Sequence, residues 1–561
     1  MKGNRRGKAE RLLLVLALLL LAFQVVPRWG MESLSMDEEW DLANAAYYWH
    51  DLDASLKDGP LPLTGSLTGL PSRFLSLSYG PIPEGSSPEA RAYYFLYYLN
   101  RPLLGAIAVS GRIVSLMAAL GIGLLIFRLA RSRGPFFIAA ALAFWAFDPM
   151  VLGYAGVARN DMTAAFLSMA AWVIHLGTRR NGASSWDPGW TGMVAGMALL
   201  TKPTTFFLLP AILGMEVLDL VRDPERPWRR CLARAAAFLS GAVLWVFLAY
   251  LPTALAVRPP ASPFDLFARY IAWILKFDGI GSDPYFLGGT HGTAGFLAFP
   301  VSVFFKWTLP FTGWVLLGLL LAAWRRTARL PEILVPLAAM VLTLLPGISS
   351  KLCRHLLPVY PFLILVAAVA ASWAWEKARG SSHPRVAAAL VLLGLAWHPL
   401  SSLARFPHAL SYMNDLVPRH RKAEVLSSYN WDLNQDVKRL AATARERGWG
   451  TVRLANSGRV DPFFYGLEWE PWTREDLEEP RPGTVYVLNA SLMTAPDAYL
   501  GPFAGVKKSW AAKREPTGWV ADTWVYHEIP GAPAPGRGEV VNSFPYFRID
   551  LIPYRMNPAL P

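Results

Sequence analysis

Charge is scarce in this chain: 17% of its 561 residues are Asp, Glu, Lys or Arg, against 53% that are hydrophobic. Soluble domains carry about a quarter of their residues charged, so an ordinary water-soluble fold is excluded. Cysteine is scarcer still, with only Cys231 and Cys353. In the topology derived below they fall on opposite sides of a membrane, which rules out a disulfide framework. A Walker loop, HExxH, a CxxC pair and GxSxG in context are all missing. Nothing therefore points to a nucleotide-binding loop, a zincin, a redox dithiol or a hydrolase serine. The nine histidines are scattered, and His50, His291, His355 and His408 are external singles without ligand spacing. There is no internal repeat and no low-complexity tract, although the last thirty residues are rich in proline.

What the chain has instead is length of apolar sequence. Hydrophobic stretches recur at residues 12 to 26, 103 to 127, 135 to 157, 162 to 176, 190 to 218, 235 to 256, 296 to 323, 331 to 346, 355 to 375 and 386 to 403. Each is near the length that a bilayer core demands, which predicts an α-helical polytopic membrane protein. The net charge of +13 sets topology rather than binding nucleic acid, because the cations sit at alternate span ends. Lys2, Arg5, Arg6, Lys8 and Arg11 precede the first span, and Arg128, Arg131 and Arg133 follow the second. Arg179 and Arg180, then Arg222 to Arg234, Arg325 to Arg329 and Lys377 to Arg385 continue the series. For this alternation to hold, the 190 to 218 stretch must cross twice, broken near Thr201-Lys202-Pro203. The expectation is about eleven crossings in an inner membrane, N-terminus inside and C-terminal domain outside. The first segment has no small-x-small cleavage site before Trp29 and reads as a retained anchor.

Two organisational units follow: a transmembrane domain over residues 1–403, with external loops 28–102 and 257–295, and an external α/β domain over 404–561. In the first loop, residues 36 to 50 predict a helix with Trp40, Ala43 and Tyr47 on one face and Asp37 and Asp41 on another. The Gly-, Pro- and Ser-rich stretch behind it, residues 58 to 90, reads as irregular. In the tail, residues 433 to 447 read as an amphipathic helix, and 451 to 457 and 483 to 491 as strands.

Chemistry concentrates where the chain leaves the bilayer. Asp37, Glu38, Glu39 and Asp41 follow the first span, and Asp161 opens the fourth from the same external side. Such acids also suit a solvated interfacial helix, and Asp161 a helix N-terminus with Asn160 as cap. Lys202 lies in the break of an otherwise apolar hairpin, where an unpaired charge costs about 2.5–3.5 kcal/mol. Lys306 lies inside the eighth span, and Lys351, Arg354 and His355 begin the tenth. Together these cations outline an external basic pocket that an anionic lipid headgroup would fit. A divalent metal held by Asp37, Asp161 and a histidine is a further option that the residue types leave open.

Seven segments carry a resemblance. "MDEEWDLANAAYY", "AFDPMVLGYAGVARNDMTAAF", "GMALLTKPTTFFLLP", "FPVSVFFKWTLP", "CRHLLPVYPFL", "FPHALSYMNDL" and "SSYNWDLNQDVKRL" stand in this order along the chain. They resemble motifs of the dolichyl-phosphate-mannose protein O-mannosyltransferase superfamily, in its bacterial branch of lipid-phosphate-sugar glycosyltransferases with the GT-C fold. Its usual His-Pro-Pro-Leu segment is not evident here; "GPLPL" at 59 to 63 is at best a remnant.

The resemblance implies sugar transfer from a polyprenyl-phosphate donor to a hydroxyl of a protein, lipid or glycan, with inversion. It places Asp37, Glu38 and Asp161 at the family's acidic positions and Lys202, Lys306 and Arg354 at its basic ones. The leaving phosphate needs no proton but does need cations, the role implied for Lys202, Lys306 and Arg354. The acceptor hydroxyl needs a base, implied to be Asp37, with Glu38 and Asp161 orienting the acceptor or holding Asp37. Two readings from other classes stand beside it. A transporter or flippase of a lipid-linked or anionic substrate would also place charges between broken helices, though two related halves are lacking. A nonenzymatic sensor would work through the tail, whereas an enzyme is expected to keep its activity without residues 420 to 561.

Overall fold

The computed structural model describes residues 2–52, 62–80, 88–180, 187–223, 227–257, 260–279, 285–287, 289–290, 297–324, 331–347, 352–426, 428–456, 458, 460–493 and 505–532. Lys351, His291 and the proline-rich end lie outside the described residues.

Helices stand at every expected apolar stretch. The first, α1 (Lys2–Met31), is followed by the loop helices α2 (Glu38–Asp51), α3 (Pro62–Gly69) and α4 (Pro88–Tyr94), then by α5 (Leu104–Ala130). The third stretch is two helices, α6 (Pro135–Ala146) and α7 (Pro149–Ala155), bent by 56°. Phe-Asp-Pro writes that bend. Pro149 opens α7 with no amide to leave unpaired, and Asp148 caps it by accepting from the amides of Met150 (2.8 Å) and Val151 (3.1 Å). Next come α8 (Asn160–Arg180), α9 (Asp187–Thr201) and α10 (Leu208–Arg222). The break expected in the hairpin is present: α9 stops at Thr201, Lys202 is extended, and a 3-10 turn over Pro203–Phe207 leads into α10.

The helices that follow are α11 (Trp228–Ala256), α12 (Pro263–Gly279), α13 (Ala298–Lys306), α14 (Leu309–Trp324), α15 (Pro331–Gly347), α16 (Tyr360–Arg379) and α17 (Pro384–Leu403). A two-stranded turn, β1 (Tyr285–Phe286) and β2 (Gly289–Thr290), lies between α12 and α13. The eighth stretch is thus broken, and Lys306 ends α13 rather than lying inside a continuous span. Among the described residues six helices are long and apolar enough to cross a membrane, seven if the bent pair α6 and α7 counts as one. The chain is a multi-pass membrane protein. Helix α16 is the most enclosed of the long spans and α17 the least, so the bundle is built around the former. Helices α9 and α11 touch backbone to backbone: a Cβ on Gly192 would sit 1.8 Å from the Phe238 carbonyl oxygen, and one on Gly241 2.0 Å from that of Gly189. Small residues permit such contact where no hydrophobic effect drives helices together.

Two differences from the sequence expectation have physical causes. The stretch after α2 is not irregular throughout, because α3 forms against α2. Trp49 donates to the Ser66 carbonyl (2.8 Å), and Gly69 lies against Ala45 so closely that any side chain would clash. Tertiary contact outweighs the poor local propensity of Gly and Thr. The tail, too, is more than an appendage, since the first loop hydrogen-bonds into it, as described below.

The tail carries α18 (Lys422–Val425), α19 (Val437–Arg447) and a five-stranded sheet of β3 (Val452–Ala455), β4 (Trp469–Pro471), β5 (Val485–Asn489), β6 (Gly518–Val520) and β7 (Trp524–Glu528). Its order is β4-β3-β5-β7-β6, with β3 parallel to β4 and β5, and β7 antiparallel to β5 and β6. Val437, Leu440, Ala441 and Ala444 turn the expected amphipathic face of α19 onto this sheet, and Gly448 closes the helix in the left-handed conformation. Both cysteines are buried and free.

Candidate active site

Asp37 stands at the N-terminus of α2, yet its side chain caps nothing. It turns instead to two guanidinium groups. Arg159 pairs with its Oδ2, and Arg354 Nη1 donates to the same oxygen at 3.2 Å. Arg159 also faces Asp161, with Nε 3.3 Å from Oδ2, and the other oxygen of Asp161 pairs with Lys202. Four stretches of chain therefore meet in one ionic cluster, Asp37, Arg159, Asp161, Lys202 and Arg354. The local chain explains how each arrives. Asp161 lies in the first turn of α8, where a carboxylate is favoured by the helix dipole. Asn160 is not the cap that the sequence suggested; its Nδ2 donates to the Thr201 carbonyl (3.0 Å) and so ties the start of α8 to the break that carries Lys202. Arg354 rides on the 3-10 turn Cys353–Val359.

The members differ in access. Asp161 is fully buried, whereas the Asp37 side chain is 25% exposed. One buried nitrogen of the cluster, Arg354 Nε, has no hydrogen-bond acceptor among the described residues. Buried guanidinium N–H groups without acceptors are costly, and an incoming anion would satisfy them.

Glu38 is spent differently. It is fully buried, and its two oxygens accept from Arg112 Nε (2.9 Å), Arg112 Nη2 (2.9 Å), the Ala158 amide (2.6 Å) and the Ser35 amide (2.6 Å). Burial by itself would push its carboxyl up, but the Arg112 charge and these hydrogen bonds outweigh it and hold Glu38 below the usual range. Its oxygens have no donor left to accept, so it braces α2 against α5 and the approach to α8. Glu39 is also buried and accepts from the Tyr97 hydroxyl, so it lies inside the protein rather than off the inward face.

Lys306 is not drawn into the ionic cluster. Its ammonium, buried at the end of α13, donates to the Leu410 carbonyl at 2.7 Å and so fastens the segment after α17. The metal option fares no better. Arg159 stands between Asp37 and Asp161, and among the described residues no group of three or more His, Cys, Asp or Glu side chains is placed to hold an ion. Sequence reading missed two residues, Arg112 and Arg159. Arg159 was visible as a charge two residues before Asp161; Arg112, a lone arginine inside the apolar α5, was the sort of buried cation that demands a partner.

The model of the dolichyl-phosphate-mannose-protein mannosyltransferase family matches residues 92–254, the stretch that holds Arg112, Arg159, Asp161 and Lys202. Over that stretch, less than a third of the chain, the sequence is similar to that family. Among solved structures it is similar to ArnT from Cupriavidus metallidurans bound to undecaprenyl phosphate, at 14% identity and a TM-score of 0.43, over 92% of this chain and 97% of that one. It is also similar to the archaeal oligosaccharyltransferase AglB from Archaeoglobus fulgidus, in complex with an inhibitory peptide and a dolichol-phosphate. There the identity is 14% and the TM-score 0.42, over 70% of this chain and 56% of that one. No curated protein matches.

Proposed function

We propose that this chain is a membrane glycosyltransferase of the GT-C type that moves a sugar from a polyprenyl-phosphate donor to an acceptor hydroxyl of a protein, lipid or glycan, at the external face of an inner membrane and with inversion. The observation that carries this reading is the ionic cluster itself: cations from three separate stretches, with the Arg354 Nε–H unfilled among the described residues, set around one partly exposed carboxylate.

Each of the three cations pairs with Asp37 or Asp161, and with only two carboxylates the cluster keeps one positive charge in excess. A donor phosphate competes for Arg354 and Lys202, drawing Arg354 off Asp37 and freeing that carboxylate. The acceptor oxygen then attacks the anomeric carbon from the face opposite the phosphate. As the new C–O bond forms, the bond to the phosphate oxygen breaks, its electron pair stays on the phosphate, and the acceptor proton passes to Asp37. Exposure supports Asp37 as the base: its side chain is partly exposed, whereas Asp161 is buried and Glu38 is fully occupied. Asp161 and Arg159 position Asp37, and Lys306 has a scaffolding role. No feature of the described helices favours a transporter.

Mass spectrometry of lipids that co-purify with the protein tests the donor class, and a polyprenyl-phosphate sugar is the expected species. Arg354→Ala and Lys202→Ala should each weaken binding of undecaprenyl phosphate about tenfold or more, the scale of one charge-assisted hydrogen bond. Lys202→Arg should recover part of that loss, since it keeps the charge but changes its shape. Wild-type affinity in both Ala variants would remove the phosphate assignment.

The eleven-crossing topology is tested by reporter fusions. Fusions at residues 180 and 380 should report a cytoplasmic location, and those at 70, 280 and 450 an external one. An external signal at 380 would separate Asp37 from the side on which the lipid sugar is proposed to be used.

A further inference from the structure

The tail segment Asn430–Gln435, in "YNWDLNQD", meets the membrane domain at two places, and each lies one residue from the ionic cluster. On one side it holds the strand-like stretch that joins α1 to α2. The Leu433 carbonyl accepts from the Met36 amide (2.7 Å), the Gln435 carbonyl from the Ser33 amide (3.0 Å), and the Asn434 carbonyl from the Ser33 hydroxyl (2.7 Å). The Tyr465 hydroxyl takes the Leu34 amide (2.9 Å). The next residue after Met36 is Asp37. On the other side Asn430 Oδ1 accepts from the Cys353 amide (3.0 Å), and the next residue is Arg354.

The segment is stiff in its own right. Buried Asp432 accepts from the Asn434 amide (2.9 Å) and from Asn489 Nδ2 at the end of β5 (2.6 Å). Gln435 Oε1 takes the Leu433 amide (2.7 Å), and Asp436 accepts from Thr523 (3.0 Å) and pairs with Arg439. Asn434 has φ +61°, in the left-handed region that Asn tolerates better than most side chains. These bonds tie the segment to three parts of the tail: the end of β5, the approach to β7, and α19.

We propose that the tail segment Asn430–Gln435 is a bracket that sets the spacing of Asp37 and Arg354, with Asn430 as a positioning residue for the transfer. The proposal rests on the reading of Asp37 as base and Arg354 as phosphate contact. It also reverses one expectation from the sequence: deleting residues 420 to 561 takes away the partners of Ser33, Leu34, Met36 and Cys353, and should abolish transfer rather than spare it.

The experiment uses the full chain in a Cys231→Ser background, so that Cys353, buried beside Arg354, is the one thiol. Two readouts need no turnover: the rate of N-ethylmaleimide labelling of Cys353 and the affinity for undecaprenyl phosphate. Asn430→Ala leaves the Cys353 amide unpaired; labelling should rise and affinity fall, each about tenfold. Asn430→Asp, which keeps an acceptor at that amide, should recover most of both. Asp476→Ala is the control for general loosening, because Asp476 is buried in a capping box with Thr473 and bonded to Tyr486, away from the bracket. It should leave both readouts at the wild-type level. Equal effects of Asn430→Ala and Asp476→Ala, or none from Asn430→Ala, overturn the bracket. Arg354→Ala in the same assay separates the two levels: if it weakens binding while Asn430→Ala changes nothing, the bracket alone fails. If Arg354→Ala binds like wild type, the phosphate reading falls and takes the bracket with it.

Discussion

Asp37→Asn should lower turnover by about 10²- to 10⁴-fold, the usual loss when a general base is removed. The amide keeps the shape and an acceptor for Arg159 and Arg354, but it cannot take the acceptor's proton. Undecaprenyl phosphate should bind at least as tightly as to wild type, because a carboxylate that competes with the phosphate for Arg354 has been neutralised. A fall in turnover with affinity retained is therefore the signature. The control is Asp51→Asn, on the exposed last turn of α2. Glu39→Gln is unsuitable as a control because Glu39 is buried against the Tyr97 hydroxyl. Wild-type turnover in Asp37→Asn, or equal losses in both variants, would return the acids to a structural role.

The second large effect should appear in stability rather than chemistry. Glu38→Ala strands Arg112, whose side chain is 2% exposed, without its carboxylate. Breaking a buried pair from one side costs about 3–5 kcal/mol. The expected result is a sharply reduced Tm and folded yield in detergent, with whatever protein remains folded still able to bind undecaprenyl phosphate. The acid limb of the stability profile should change as well. Because Glu38 lies below the usual range in the folded protein, its contribution is complete above the unfolded value of about 4.3 and is lost as pH falls through the folded one. Wild type should show that loss below about pH 4, and Glu38→Ala should lack it. A Glu38→Ala protein with wild-type Tm and no turnover would instead make Glu38 a catalytic residue.

Local pattern carried much of the architecture. The apolar stretches became helices because a chain in lipid has to satisfy its backbone within each segment, and Pro203 marked one break because proline cannot donate; the break at Phe-Asp-Pro, inside a stretch read as one span, came only from the structure. Lys202 and Asp161 stood out for the same kind of reason, as charges at apolar places, and they pair with each other. Lys306 stood out just as clearly and proved to serve a backbone carbonyl, since a buried ammonium is satisfied by any acceptor and sequence cannot say which. Helix α3 was illegible because its stability comes from contact with α2, not from its own residues.

The sequence by itself determined that this chain is a multi-pass helical protein, where its long apolar segments lie, and which acids and cations sit near the ends of its spans. Periodicity, length and the cost of charge in lipid are local properties, readable one segment at a time. Only the tertiary structure decided which of those charges meet. It joined Arg159 to both Asp37 and Asp161, gave all of Glu38's bonding capacity to Arg112 and two amides, set Lys306 apart, and brought Asn430 to the backbone beside Arg354. Those pairings join residues up to hundreds of positions apart, and a charge or an amide selects its partner by distance and direction in space, which a linear pattern does not encode.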